Sequence, residues 1–133
     1  MSAGYSGTPL WKKLGYKPGQ KVALLNSPQG FADWLGEDVP QVQASLPAGA
    51  GLVHLFVSDA ANLSASLPAL MAAFDRDGAI WVSWPKKASG VPTDITEDRI
   101  RAIALPMGLV DVKVCAVSEI WSGLKLVIRK ELR

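Results

Sequence analysis

The sequence predicts an α/β domain of three layers, with a mostly parallel sheet of about five strands finished by a C-terminal antiparallel hairpin. Three observations carry this reading. A short continuous apolar run at Val22–Leu25 and mainly apolar runs at Leu52–Val57 and Ala79–Trp84 have the length and texture of strands covered on both faces. Segments with apolar residues at helical spacing separate these runs, so strand and helix alternate, and right-handed crossovers then give parallel neighbours. The last third holds two alternating segments, Leu109 to Val117 and Leu124 to Lys130, parted by Ser118 to Gly123, which is the pattern of a hairpin.

Taken in order, Thr8 as N-cap, Pro9 at the first helical position and Gly15 as a left-handed stop predict a short helix. Lys17 to Gln20 make a turn, and Lys21 to Asn26 is the first parallel strand. Phe31, Trp34 and Leu35 predict a helix from about Pro28 to Leu35, ended by Gly36. Glu37 to Gly51 reads as a connection because Pro40, Pro47, Gly49 and Gly51 interrupt regular structure, with room for a brief strand or helical turn near Val42.

Leu52 to Ser58 is the second buried strand. Leu63, Leu67, Leu70 and Phe74 trace one stripe of the helix that follows, kinked or restarted at Pro68. The third strand, Ala79 to Trp84, stops at Pro85, which has no amide for a ladder. Lys86 to Thr93 is polar, and Asp94 with Glu97 forms an expected capping box for a helix carrying Ile100, Ile103 and Ala104. Pro106 and Gly108 close it. In the hairpin, Val110, Val112, Val114 and Ala116 share one face of the first strand, and Leu124, Leu126 and Ile128 share one face of the second.

The 133 residues, 49% hydrophobic against 20% charged, fit one domain spanning residues 1–133 rather than a disordered chain or a coiled coil. A net charge of +2 is too small to imply a polyanion partner, although Lys12, Lys13, Lys86, Lys87, Arg99 and Arg101 are available to one basic face. Cys115 is the only cysteine, which excludes an intrachain disulfide and a cysteine zinc cluster and predicts a buried thiol. Met1 to Pro9 has no charged segment leading into an apolar core, and no run reaches the roughly 20 apolar residues of a membrane helix. A cytoplasmic protein without a membrane partner is expected.

Leu14-Gly15-Tyr16-Lys17-Pro18-Gly19-Gln20-Lys21-Val22 resembles the approach to the first strand in class I S-adenosylmethionine-dependent methyltransferases. Asp77 to Ser83 resembles their fifth strand, and Leu109 to Lys130 their final hairpin. Trp84 to Gly90 and Trp121 to Leu126 also resemble a bacterial family of short methyltransferase-like domains. The resemblance implies a truncated Rossmann-like fold of methyltransferase type in a soluble bacterial protein, and brings no particular activity. Where those enzymes follow the first strand with an acidic residue and a glycine-rich turn, this chain has Asn26-Ser27-Pro28-Gln29-Gly30. The stretch from Gly30 to Leu52 is also too short for their second strand unit, which carries an acid for the ribose hydroxyls. Hence no cofactor is expected, S-adenosylmethionine being the one candidate that the resemblance supplies.

Ligands of open parallel sheets bind beyond the carboxyl ends of the strands. That rule selects Asn26, Ser27, Ser58, Asp59, Ser83, Trp84, Lys86 and Lys87 as candidate ligand-binding residues, with Ser89 and Gly90 joining Lys86 and Lys87 in an anion cradle and Trp84 as a stacking face. The competing reading, which we favour for Lys86 to Gly90, is a solvated crossover loop. Asp94, Glu97 and Asp98 are better read as complements to a helix start than as a metal or base cluster, with Thr93 and Asp94 as secondary rim residues. His54, Ser58 and Asp59 include triad residue types, but His54 would lie about 13 Å from Ser58 on an extended strand, so His54 reads as a partly buried structural residue. A lone histidine does not make a metal site, and none is predicted.

Glu119, Trp121, Ser122 and Lys125 are candidate partner contacts at the hairpin, with Trp121 equally suited to covering the sheet edge. Tyr5, Trp11, Lys12 and Lys13 offer a weaker partner surface, Trp11 and Leu14 being better placed for packing on the sheet. These residues support a non-catalytic module binding a small ligand or a protein. The alternatives are a small methyltransferase or other nucleotide-ligand enzyme using Ser83, Trp84, Lys86 and Ser89, and a weak nucleic-acid binder, which the charge balance disfavours. Homo-oligomers through the hairpin edge are a further expectation.

Overall fold

The computed structural model describes residues 7–133; Tyr5, read above with Trp11, lies outside the described residues. The chain runs α1 (Leu10–Leu14), β1 (Lys21–Leu25), α2 (Phe31–Trp34), β2 (Gln43–Ala44), β3 (Leu52–Phe56), α3 (Ala60–Ala73), β4 (Ala79–Pro85), α4 (Glu97–Ala104), β5 (Leu109–Ala116) and β6 (Trp121–Ile128). Single 3₁₀ turns sit at Lys87–Ser89, Leu105–Met107 and Lys130–Leu132. One six-stranded sheet has the order β2-β1-β3-β4-β6-β5. β1 runs parallel to β2 and β3, and β3 parallel to β4, while β6 is antiparallel to both β4 and β5. The five expected strands are joined by the two-residue β2, beside Val42.

Alternation along β3 and β4 feeds two cores. Val53, Leu55, Ile80, Val82 and Trp84 pack with Leu63, Leu67 and Leu70 of α3 and with Ile100 and Ala104 of α4. Leu52, Phe56, Ala79 and Trp81 pack with Leu10 and Leu14 of α1 and with Phe31 of α2. The Trp81 indole N–H donates to the Leu14 carbonyl at 2.8 Å, which ties the end of α1 to the sheet. Gly123 lets β6 pass close over this core, because a Cβ there would meet Trp81 at 3.1 Å and Val117 at 3.2 Å. No described helix is long and apolar enough to cross a membrane.

Several boundaries differ from the sequence reading. α1 starts after Pro9, whose extended backbone makes it the N-cap, with no side-chain cap bond. α2 is one turn, entered through Gly30 at φ 86°. α4 is capped by Thr96, whose hydroxyl accepts from the Arg99 amide at 3.1 Å, and not by Asp94. Asp94 instead accepts from the Ala60 amide at 2.8 Å, serving the start of α3 across 34 residues of sequence. In β5 a bulge between Asp111 and Lys113 breaks the alternation expected of Val110, Val112, Val114 and Ala116. Beyond it Cys115 and Val117 turn into the α1-side core, while Val112 and Val114 stay half exposed.

Candidate functional site

β1 and β3 are neighbours whose onward connections leave in opposite directions, β1 to β2 and β3 to β4. Such a switch point opens a crevice at the carboxyl ends of the strands, and a cavity of about 380 Å³ lies there. Asn26 leaves β1 with φ 59°, a left-handed conformation that Asn tolerates better than most residues. Leu55, Phe56, Val57 and Ser58 line the cavity from β3 and its exit, Asn62 and Ser66 from α3, and Trp121 from the start of β6.

The start of α3 is firmly set. The Asp59 carboxylate accepts from the Asn62 amide at 2.8 Å and from its side-chain amide at 2.7 Å. With Asp94 on Ala60, two carboxylates face the positive end of this helix. Asn62 and Ser66 stand four residues apart and so share the helix face that looks into the crevice. Trp121 meets Phe56 edge to face with centroids 5.2 Å apart. Every described residue lining the cavity is uncharged, so these residues offer amide and hydroxyl groups beside an aromatic wall.

Beneath Phe56 lies a buried polar pair. His54 and Ser83 are fully buried, with His54 Nε2 and Ser83 Oγ joined by a hydrogen bond of 2.6 Å. The imidazole stacks on Phe56 at 4.2 Å between centroids and meets the edge of Phe31 at 5.2 Å. Its Nδ1 has no partner, and burial pushes its pKa down to about 3, so the ring is neutral. His54 is therefore more deeply buried than its sequence context suggested.

Of the rim residues expected from the sequence, the crevice takes Asn26 and Ser58. Ser27 is exposed in the turn after β1, and Asp59 is engaged as a helix cap. Ser83 is level with Phe56 in the sheet, its hydroxyl held by His54, and does not reach the rim. Trp84 is buried in the core under α3 and α4 and presents no stacking face to a ligand. Lys86 to Gly90 close on themselves: the Ser89 and Gly90 amides donate to the Lys86 and Lys87 carbonyls, and Ser89 Oγ donates to the Lys86 carbonyl at 2.6 Å. Of the amides expected to cradle an anion, those of Ser89 and Gly90 are thus spent within the turn and that of Lys86 donates to the Ile120 carbonyl at 2.7 Å, although Lys87 itself is exposed.

Among the hairpin candidates, Trp121 belongs to the α1-side core and Lys125 follows it on that face, while Ser122 faces the other way and Glu119 is exposed in the turn. The four do not form one patch. Asp94, Glu97 and Asp98 also separate, Asp94 serving α3 and the other two pairing with Arg101. Thr93 donates to the Ser58 carbonyl at 2.7 Å, closing one side of the rim. Asn62 and Ser66 were missed by sequence reasoning. Their signal was the four-residue spacing of polar groups directly after a strand-end Ser58-Asp59.

No protein-family model matches the sequence, and no curated protein matches it. Solved structures do match the fold. A putative type 11 methyltransferase from Sulfolobus solfataricus superposes with TM-score 0.61 at 12% identity, covering 91% of this chain and 90% of that one. The ribosomal protein L11 methylase from Lactobacillus delbrueckii subsp. bulgaricus gives 0.54 at 14%, over 89% of this chain and 74% of that one. Magnesium protoporphyrin IX methyltransferase from Synechocystis PCC 6803, with bound S-adenosylmethionine, gives 0.56 at 14%, over 84% and 71%. The chain has a small Rossmann-like α/β fold of the methyltransferase type.

Proposed function

We propose that the domain is a binding module for a neutral, nucleoside-like small molecule held in the crevice between β1 and β3. The observation that carries this reading is a cavity of about 380 Å³ lined by Asn26, Ser58, Asn62 and Ser66 against Trp121 and Phe56. Its size suits a small organic ligand. Two side-chain amides and two hydroxyls offer both donors and acceptors to the edge of a heterocycle or to ribose hydroxyls, and Trp121 offers a flat apolar contact. Because the lining is uncharged, the module holds its ligand without supplying proton transfer.

S-adenosylmethionine as a whole fits this lining poorly. Its amino-acid end carries an ammonium and a carboxylate, and the cavity provides a counter-charge for neither. Contrary to the expectation that Gly30 to Leu52 is too short for a second strand unit, the two-residue β2 pairs with β1 there; at its end, where the resemblance implies an acid for the ribose, the chain has Ala44 and Ser45, and the Ser45 hydroxyl donates to the Leu46 carbonyl at 2.9 Å. A small methyltransferase remains the second reading, favoured by the likeness to a structure with that cofactor bound.

Thermal unfolding with adenosine, S-adenosylmethionine or its demethylated product separates the two. A ligand at about 100 times its dissociation constant adds about 2.7 kcal/mol, a shift of several degrees. The expected result is a shift with adenosine that Asn26→Ala and Trp121→Ala diminish. A shift with the intact cofactor alone would replace the proposal with the methyltransferase reading, and no shift with any of the three would reject both.

A further inference from the structure

Lys113 and Lys125 are direct partners across the antiparallel β5–β6 ladder. Like charges in that position repel and weaken the pair. Both point to the α1 side, since Lys113 Nζ donates to the Lys13 carbonyl at 3.2 Å and Lys125 alternates with Trp121, Gly123 and Val127 along β6. The end of α1 thereby brings Lys13 alongside, and the loop after it brings Lys17 within electrostatic reach of Lys125. Lys13 and Lys125 are half-buried, while Lys17 and Lys113 are exposed.

Nothing in the described residues neutralises this group. Their ion pairs are made by Arg101 and Arg129, and none involves a lysine. The one carboxylate of β5, Asp111, faces the other side of the sheet and is held by Arg101 at 2.9 Å. Partial burial and the charges of Lys113 and Lys17 hold the Lys125 ammonium below its ordinary pKa. Lysines free to choose their positions spread apart at little cost, whereas the backbone fixes Lys113 and Lys125 opposite each other in the ladder and holds Lys13 in the last turn of α1.

The geometry points to a phosphate-binding site on the α1 side of the hairpin, formed by Lys13, Lys17, Lys113 and Lys125. A carboxylate would bring one charge to this cluster. A phosphate monoester brings nearly two, with three strong acceptor oxygens, and the successive diesters of a nucleic-acid strand bring one each at close spacing, so either source of phosphate matches several neighbouring lysines. The site is separate from the crevice, about 13 Å away along β6 from Trp121 to Lys125. It does not depend on what the crevice binds.

The test is the unfolding midpoint of the whole chain in low salt with pyrophosphate, against chloride at equal ionic strength. The site predicts a rise of several degrees specific to pyrophosphate. Lys125→Gln should raise the midpoint of the free protein by relieving repulsion, yet weaken pyrophosphate binding by about tenfold. A single-stranded oligonucleotide in a parallel titration identifies the source: tighter binding than pyrophosphate, lost in Lys113→Gln/Lys125→Gln, assigns the phosphates to a nucleic-acid backbone, and weaker binding assigns them to a small molecule. The inference is overturned if pyrophosphate and the oligonucleotide both act no more than chloride does, or if the double variant keeps the full response.

Discussion

The two faces of the sheet are built differently. Under α3 and α4 the packing is apolar throughout, from Val53 and Leu55 to Leu67, Ile100 and Leu126. The other face is covered by helices of five and four residues, contains the buried His54–Ser83 pair, and carries Lys113 and Lys125 on its hairpin. Phe56 and Trp121, the aromatic wall of the crevice, belong to this second face. The contrast teaches that one side of a thin domain can hold the fold while the other carries its buried polar pair and its lysines, with the crevice drawing on both, Asn62 and Ser66 from α3 and Phe56 and Trp121 from the other face.

The largest effect expected from this contrast lies under α3. Leu67 is fully buried, and Leu67→Ala should cost about 2–5 kcal/mol in chemical unfolding while leaving the crevice able to bind. A loss below about 1 kcal/mol would show that this face is not the more tightly packed one.

The buried polar pair makes the second face sensitive to acid. The His54 pKa is lowered in the folded state, so the unfolded chain binds the extra proton first; the contribution to stability is complete above pH 6.5 and is lost as pH falls toward about 3. Stability should drop by about 1.4 kcal/mol per pH unit within that window. His54→Leu should flatten the slope, and an unchanged slope would place the acid response elsewhere.

Ser83→Ala leaves the imidazole with no hydrogen bond at all and should cost about 1–3 kcal/mol. The double variant His54→Leu/Ser83→Ala should be less impaired than the sum of the single changes, since it removes both polar groups together. Strict additivity in that cycle would mean that the pair is not coupled.

The smallest effect is at the rim. Asp59→Ala removes the cap of α3 and should cost about 1 kcal/mol, together with a loss of ligand affinity because Asn62 is released from its two bonds to Asp59. Full affinity in that variant would detach Asn62 from recognition.

The strands were legible because an apolar run such as Ala79–Trp84 reads as burial on both faces, which β4 shows; Val22–Leu25 gave its strand but not its coverage, since Leu24 is exposed, and Gly15 marked its helix end through its left-handed backbone. The crevice was legible in part. The strand-end rule located Asn26 and Ser58 but misplaced Ser83 and Trp84, because β4 runs seven residues to Pro85 and the register sets Ser83 beside Phe56, inside the sheet. A strand's own sequence does not show how far its neighbour extends. Asp94 escaped for a similar reason, since its partner is the Ala60 amide, distant in sequence. The polar composition of Lys86 to Gly90 gave no sign that the Ser89 and Gly90 amides would be consumed within the turn and the Lys86 amide by the hairpin.

A nucleoside site in the crevice is tested most directly by amide and indole NMR shifts of the protein titrated with adenosine. It predicts saturable shifts at Asn26, Ser58, Asn62, Ser66 and the Trp121 indole N–H, with Lys113 and Lys125 unmoved. Saturable shifts that leave these crevice residues untouched, or no shifts up to the solubility limit of adenosine, would contradict a nucleoside site at the β1–β3 switch point.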